Sequence, residues 1–218
     1  MVTIPEAGSP RLLLALHPAP VRIAALVGVA LVLGGLTSFG QALLPAEFAP
    51  VANSAAGWSV PTAILVLVSA RGYPEAAIGA ALAFVSLTVG YALVSGWRGF
   101  PYDPTEWAVV GLVAGPVIGC AAHALRRGRY QAALGAGVLA GSLIGEGVYG
   151  LTVVAETTSP VSWWVAIAMG AALAVGTSIR LRAPLPALVP LLVAAVTATA
   201  FLLAYSALPL LFLAVSGT

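Results

Sequence analysis

Lysine is absent from this sequence of 218 residues, and charge of either sign is scarce. Nine arginines and seven acidic residues make up only 7% of the chain. A soluble domain of this length needs a charged surface, so these few side chains exclude that class. The arginines fall in short clusters between apolar stretches, a distribution that also excludes a nucleic-acid-binding patch.

Cysteine, histidine and catalytic motifs are also sparse. The single cysteine, Cys120, cannot form an intrachain disulfide. The two histidines, His17 and His123, offer no set of metal ligands. The sequence contains no P-loop, no HExxH, no GxSxG nucleophile elbow and no paired-aspartate motif. We therefore predict no metal, no cofactor and no recognised catalytic residue, and we favour a function other than catalysis.

Hydrophobic residues, in contrast, make up 61% of the chain, and the mean hydropathy is +1.05. Such a composition lies far outside the range of soluble domains and requires the bilayer to cover the surface. We predict an all-α, polytopic membrane protein whose main contact is the lipid of the cell membrane.

Charges, turn residues and apolar runs divide the chain into seven predicted spans, each near the length of about twenty residues that crosses a hydrocarbon core. The spans belong to one transmembrane domain, 21–213, preceded by a short cytoplasmic or interfacial segment, 1–20, and followed by a tail, 214–218. The predicted spans are 22–44, 51–70, 74–97, 105–125, 130–154, 160–179 and 185–212.

The orientation follows from the arginines, which accumulate on the cytoplasmic side of membrane proteins. With seven spans and a cytoplasmic N-terminus, only Arg98 falls outside, and the C-terminus is also outside. The span 51–70 is the weakest because Asn53, Ser54, Gly57 and Pro61 interrupt it, but without it the arginines would divide more evenly. This distribution fits a bacterial inner membrane. We expect Arg98 to pair with an acid of the following loop.

Glycines recur at every fourth residue in the fourth and fifth spans. Small residues at this spacing let helix backbones approach closely in lipid. Since the turn between these spans is short, we predict a tight antiparallel hairpin, with Gly111 near the depth of Gly145 and Gly119 near that of Gly137. The predicted helix-packing residues are Gly111, Gly115, Gly119, Gly137, Gly141 and Gly145.

Glu146 is the only carboxylate deep within a predicted span. A charge near the bilayer centre costs about 2.5–3.5 kcal/mol on insertion scales, so it needs a partner or a purpose. Tyr149 lies on the same helical face, and polar or aromatic residues of the first three spans lie at a similar depth. The sequence therefore predicts an outward-facing, ligand-binding polar pocket, formed by Gln41, Asn53, Trp58, Tyr91, Glu146 and Tyr149. The alternative is a hydrogen-bonded glutamate that only ties helices together.

Several of these positions also occur in short motifs. Gln41, the run Ala52-Asn53-Ser54-Ala55-Ala56-Gly57-Trp58, Gly90-Tyr91, Gly115-Pro116 and Gly145-Glu146-Gly147 resemble a family of small bacterial multi-pass membrane proteins known only as a domain of unknown function. The resemblance covers roughly residues 25–155. It implies that these positions belong together, and it supplies no substrate or reaction.

Three hypotheses remain open at this level. The favoured one is a protein that binds or transports a small molecule through the pocket around Glu146. The second is an intramembrane enzyme in which Glu146 acts as a general acid or base on a lipid-soluble substrate and Tyr149 polarises it. The third is an accessory or assembly subunit whose glycine faces pack against a partner membrane subunit.

Overall fold

The structure is a computed structural model, which describes residues 17–181 and 184–216. The predicted fold class is confirmed, since the described residues form an all-helical bundle. Most of the predicted segment 1–20, Arg182 and the last two residues of the predicted tail lie outside the described residues. The seven α-helices are α1 (Ala19–Leu43), α2 (Ala55–Ser69), α3 (Tyr73–Trp97), α4 (Thr105–Ala124), α5 (Arg129–Thr152), α6 (Pro160–Leu181) and α7 (Pro184–Ser216).

Six of the seven helices are long and apolar enough to cross a membrane; α2 is the exception. The predicted span 51–70 is instead a 3₁₀ helix, Ala49–Asn53, followed by α2 of 15 residues. At 1.5 Å per residue α2 is about 22 Å long, less than the roughly 30 Å of a hydrocarbon core. The break lies at Ser54, whose extended backbone ends the 3₁₀ helix and whose side chain caps α2.

The helices form two packed groups joined by α4 and α5. In the first group α3 packs against both α1 and α4, while the short α2 contacts α1, α3 and α4. In the second group α5 packs against both α6 and α7. Because α2 also touches α5, its beginning lies where the two groups meet.

The predicted hairpin of α4 and α5 forms, but the two glycine faces do not meet each other in it. A Cβ added at Gly119 would lie 2.2 Å from the Ala76 carbonyl oxygen of α3, and one at Gly141 would lie 2.5 Å from the Ala194 carbonyl oxygen of α7. Each face therefore packs closely against another helix of its own group. The α4 and α5 backbones approach instead at Gly135, whose added Cβ would lie 2.3 Å from the Ala121 carbonyl oxygen.

Charge distinguishes the two ends of the bundle. We call one the arginine end, formed by the turns 70–72 and 125–128 with the adjacent helix termini, and the other the acidic end, formed by the connections 44–48, 98–104 and 153–159. Exposed aromatic residues lie at both ends, at positions typical of membrane interfaces. Tyr130 lies at the arginine end, and Trp97 and Trp164 lie at the acidic end. Tyr73 and Trp97 are separated along α3 by about 36 Å, enough to span a bilayer core.

Arg98 lies at the acidic end but does not pair with an acid, so that prediction is wrong. Its guanidinium donates to the carbonyl and hydroxyl oxygens of Ser38 and lies 4.8 Å from the ring centroid of Phe39. The connection after α3 directs this arginine toward α1 rather than along its own loop.

Candidate functional site

The beginning of α2 and the C-terminal half of α5 meet at Glu146. The Ala56 amide donates a 2.6 Å hydrogen bond to the Glu146 carboxylate. The first amides of a helix have no partner within the helix and carry partial positive charge, so a carboxylate at this place is favoured. Ser54 accepts a 3.0 Å hydrogen bond from Gly57. Together these two side chains satisfy amides that the bilayer interior cannot hydrate.

Glycines on both helices make this approach geometrically feasible. A Cβ at Gly57 would lie 2.0 Å from the Val51 carbonyl oxygen, so only glycine fits the turn between the 3₁₀ helix and α2. On α5, Gly145 packs closely against α7, and Gly147 packs against the Trp163 carbonyl oxygen of α6. Glu146 therefore projects from a segment of α5 that is held between two helices.

A groove of about 430 Å³ lies over this contact, between α1 and α6. Its walls are largely apolar, with Leu36 from α1, Val60 from α2 and Met169 from α6. Glu146, only 3% exposed, lies at the buried side of the groove. Three hydroxyls also line it, from Thr37, Ser54 and Ser162. The arrangement is an apolar recess with one ionisable group at its floor.

Three of the other predicted residues are in contact, but next to the groove rather than in it. The Tyr91 hydroxyl donates a hydrogen bond to the Gln41 side-chain oxygen, and the ring of Trp58 meets that of Tyr91 edge-on at 5.5 Å. Trp58 is fully buried. The Trp58 Nε1 and the Asn53 Oδ1 atoms have no hydrogen-bond partner among the described residues. We call Gln41, Trp58 and Tyr91 the Tyr91 cluster, in which Trp58 and Tyr91 are buried and Gln41 is exposed.

Tyr102 extends the Tyr91 cluster from the loop at the acidic end. Its ring packs edge-on against that of Tyr91 at 5.0 Å. Burial, together with nearby Tyr91, Glu106 and Asp103, raises the pKa of Tyr102 to about 12. The hydroxyl therefore stays protonated at physiological pH and is available as a hydrogen-bond donor.

Tyr149, the remaining predicted residue, lies away from the groove. Its ring meets that of Tyr205 at 4.6 Å, and both line a separate cleft of about 660 Å³ with Trp107. No hydrogen bond among the described residues joins Tyr149 to Glu146. The structure thus divides five of the predicted pocket residues among the groove, the Tyr91 cluster and the cleft, while Asn53 belongs to none of the three.

The motifs that carried the family resemblance now have a spatial explanation, because the run 52–58, Gly90-Tyr91 and Gly145-Glu146-Gly147 converge where α2 begins. Residues 14–210 match a family of unknown function (DUF6518). The chain belongs to this family. It matches no curated protein and no solved structure. The family supplies no activity, so function has to be argued from the groove itself.

Sequence reasoning missed most of the groove. Ser54 had a recognisable signal, since serine is among the residues preferred at the N-cap of a helix. Ser162 and Met169 had none, because a serine or methionine inside an apolar span is equally compatible with any face. Tyr205 of the cleft was missed for the same reason. Within the described residues no group of three histidine, cysteine or acidic side chains could hold a metal ion.

Proposed function

We propose that this membrane protein binds a small amphiphilic molecule in the groove between α1 and α6, as a binding or transport protein. The observation that carries the proposal is a buried carboxyl group at the floor of an apolar recess. A volume of about 430 Å³ lies within the range of ligand pockets, which combine apolar walls with a few polar groups. The Glu146 carboxyl would accept a hydrogen bond from the polar head of the ligand.

The other two hypotheses have less support. An enzyme in which Tyr149 polarises Glu146 would need contact between them, whereas Tyr149 packs against Tyr205. An assembly subunit would need its glycine faces free for a partner, whereas Gly119 and Gly141 are covered by α3 and α7. Neither observation argues against the binding of a ligand in the groove.

The test compares decylamine, decanol and decanoate as probes, with thermal unfolding of the protein in lipid nanodiscs as the readout. A ligand that binds only the folded state raises the unfolding temperature by mass action. We expect decylamine and decanol to stabilise the wild type more than decanoate does, because the carboxylate head group of decanoate cannot donate a hydrogen bond to Glu146. In Glu146→Gln the preference for decylamine over decanoate should disappear, since the amide also offers a donor.

A matched pair of variants on α6 tests whether the probes occupy the groove. Val165 lines the groove and is 41% exposed, whereas Val175 is similarly exposed but does not line it. Val165→Phe should fill the groove and abolish stabilisation by all three probes, while Val175→Phe should leave it unchanged. If the probes stabilised both variants equally, or did not stabilise the wild type, the proposal would be overturned. Glu146 would then serve only to hold helices together.

A further inference from the structure

A recess lies at the arginine end, where α2 ends. The last residue of α2, Ser69, is followed by a turn, and a cavity of about 340 Å³ opens there between the ends of α2 and α4. Leu67, Arg71 and Arg126 are among its lining residues. Because the recess opens at the end of the bundle that carries the exposed interfacial Tyr130, polar groups of the membrane interface can enter it.

Two arginines from the turn after α4 donate hydrogen bonds to carbonyl oxygens at the end of α2 and in the turn that follows it. Arg126 donates a 2.7 Å hydrogen bond to the Leu67 carbonyl oxygen, and Arg127 donates a 3.0 Å hydrogen bond to the Arg71 carbonyl oxygen. Arg127 also donates a 3.0 Å hydrogen bond from its Nε atom to the Nε2 atom of His123. Arg126 is exposed and uses one nitrogen for its carbonyl contact, so the rest of its guanidinium remains available.

Among the described residues, the positive charge around this recess exceeds the negative charge. Glu75 is the only acidic residue that the described chain places at the arginine end, and it pairs with Arg22 at 2.6 Å. It also accepts a 3.0 Å hydrogen bond from the Arg71 amide, which fixes the backbone of Arg71 and leaves its guanidinium exposed. Among the described residues no ion pair involves Arg71 or Arg126.

We propose that Arg71 and Arg126 bind a phosphate group in this recess, either that of an anionic phospholipid or that of a soluble phosphate compound. Guanidinium groups match the geometry of phosphate oxygens and form strong charge-assisted hydrogen bonds with them. Basic recesses between helices at a membrane surface are suited to anionic lipid head groups. The site is separate from the groove of the proposed function and does not depend on it.

The experiment measures binding of phosphatidylglycerol to the purified protein in phosphatidylcholine nanodiscs, with thermal unfolding as a second readout. Arg71→Gln/Arg126→Gln should bind phosphatidylglycerol at least about tenfold more weakly, the loss expected from one charge-assisted hydrogen bond. The control, Arg129→Gln/Arg180→Gln, removes the same charge from exposed residues outside the recess and should bind like the wild type. Arg71→Lys/Arg126→Lys, which keeps the charge, should recover part of the affinity if the Gln variant folds poorly.

Two further arms distinguish the phosphate source. Stabilisation of the wild type by inorganic phosphate in detergent, lost in Arg71→Gln/Arg126→Gln, would support a soluble ligand. Stabilisation by phosphatidylglycerol alone would support a lipid. Equal losses in the recess variant and the control would show general surface attraction and overturn the proposal, as would a wild type that does not distinguish phosphatidylglycerol from phosphatidylcholine.

Discussion

The Glu146 carboxylate of α5 accepts a hydrogen bond of 2.6 Å from the Ala56 amide, which lies in the first turn of α2. The contact joins the two helix groups at a buried position and satisfies an amide that has no partner within its own helix. A glutamate that is costly in the membrane interior is thereby placed where positive partial charge offsets part of that cost.

Replacing Glu146 by leucine should destabilise the protein more than replacing it by glutamine. Leucine leaves the Ala56 amide without an acceptor, at a cost of about 1–3 kcal/mol, whereas the glutamine carbonyl can still accept the hydrogen bond. Unfolding in a denaturing detergent titration would measure both variants. The corresponding changes at Glu156, in the connection after α5, should differ little from each other. Equal stabilities of the two Glu146 variants would show that the Ala56 contact contributes nothing.

Gly119→Ala should destabilise the bundle, because the new Cβ would lie 2.2 Å from the Ala76 carbonyl oxygen and α3 and α4 would have to separate. We expect a loss of about 1–3 kcal/mol, the usual cost of overpacking. Gly28→Ala on α1 is the control, since an added Cβ there meets nothing within 4 Å. That variant should be neutral or slightly more stable. The same unfolding titration measures both, and a stable Gly119→Ala protein would contradict the close α3–α4 contact.

Arg22 and Glu75 should show strong energetic coupling. Their ion pair is largely buried, with 2.6 Å between nitrogen and oxygen. Removing one partner leaves a charge without compensation, which is more destabilising than removing both. In a double-mutant cycle with Arg22→Leu and Glu75→Leu we expect a coupling of about 1–3 kcal/mol. Additive effects of the two substitutions would mean that solvent replaces the lost partner.

Acidification should loosen the beginning of α4 through Asp103. Hydrogen bonds from the Thr105 hydroxyl and amide, the latter 2.9 Å long, lower the pKa of the Asp103 carboxyl. Because the pKa of Asp103 is lower in the folded state than in the unfolded state, where it is near 3.8, the ionised carboxylate stabilises the folded protein above that pH. This stabilisation is lost as the pH falls through the folded-state pKa. Amide hydrogen exchange at Thr105, corrected for intrinsic pH effects, should increase over that range. Asp103→Asn should remove this pH dependence, and its persistence would exclude Asp103 as the cause.

The arginine end should face the cytoplasm, as the arginine distribution predicts. In a Cys120→Ser background, Glu156→Cys at the acidic end should react with an impermeant maleimide added to intact cells. Arg180→Cys at the arginine end should react only after the membrane is opened. The opposite labelling pattern would reverse the predicted orientation without altering the fold.

Much of the fold was predictable because it depends on local composition and on the thickness of the bilayer. Apolar runs near twenty residues identified the helices, and Ser54 and Gly57 marked the weakest segment, which is the short α2. Spacing also identified the glycine faces of α4 and α5. It could not identify their partners, because a smooth face such as that of Gly141 accepts any helix of suitable shape.

The sequence by itself thus determined the class of protein, the number of helices, the separation of charge between the two ends and the burial of Glu146. Only the tertiary structure decided what Glu146 meets. The depth of a residue follows from its position along one helix, but its neighbours depend on how α5 rotates and on where α2 begins. The rotation of α5 and the starting point of α2 place Ala56 beside the Glu146 carboxylate and Tyr149 beside Tyr205. They also leave the groove between α1 and α6.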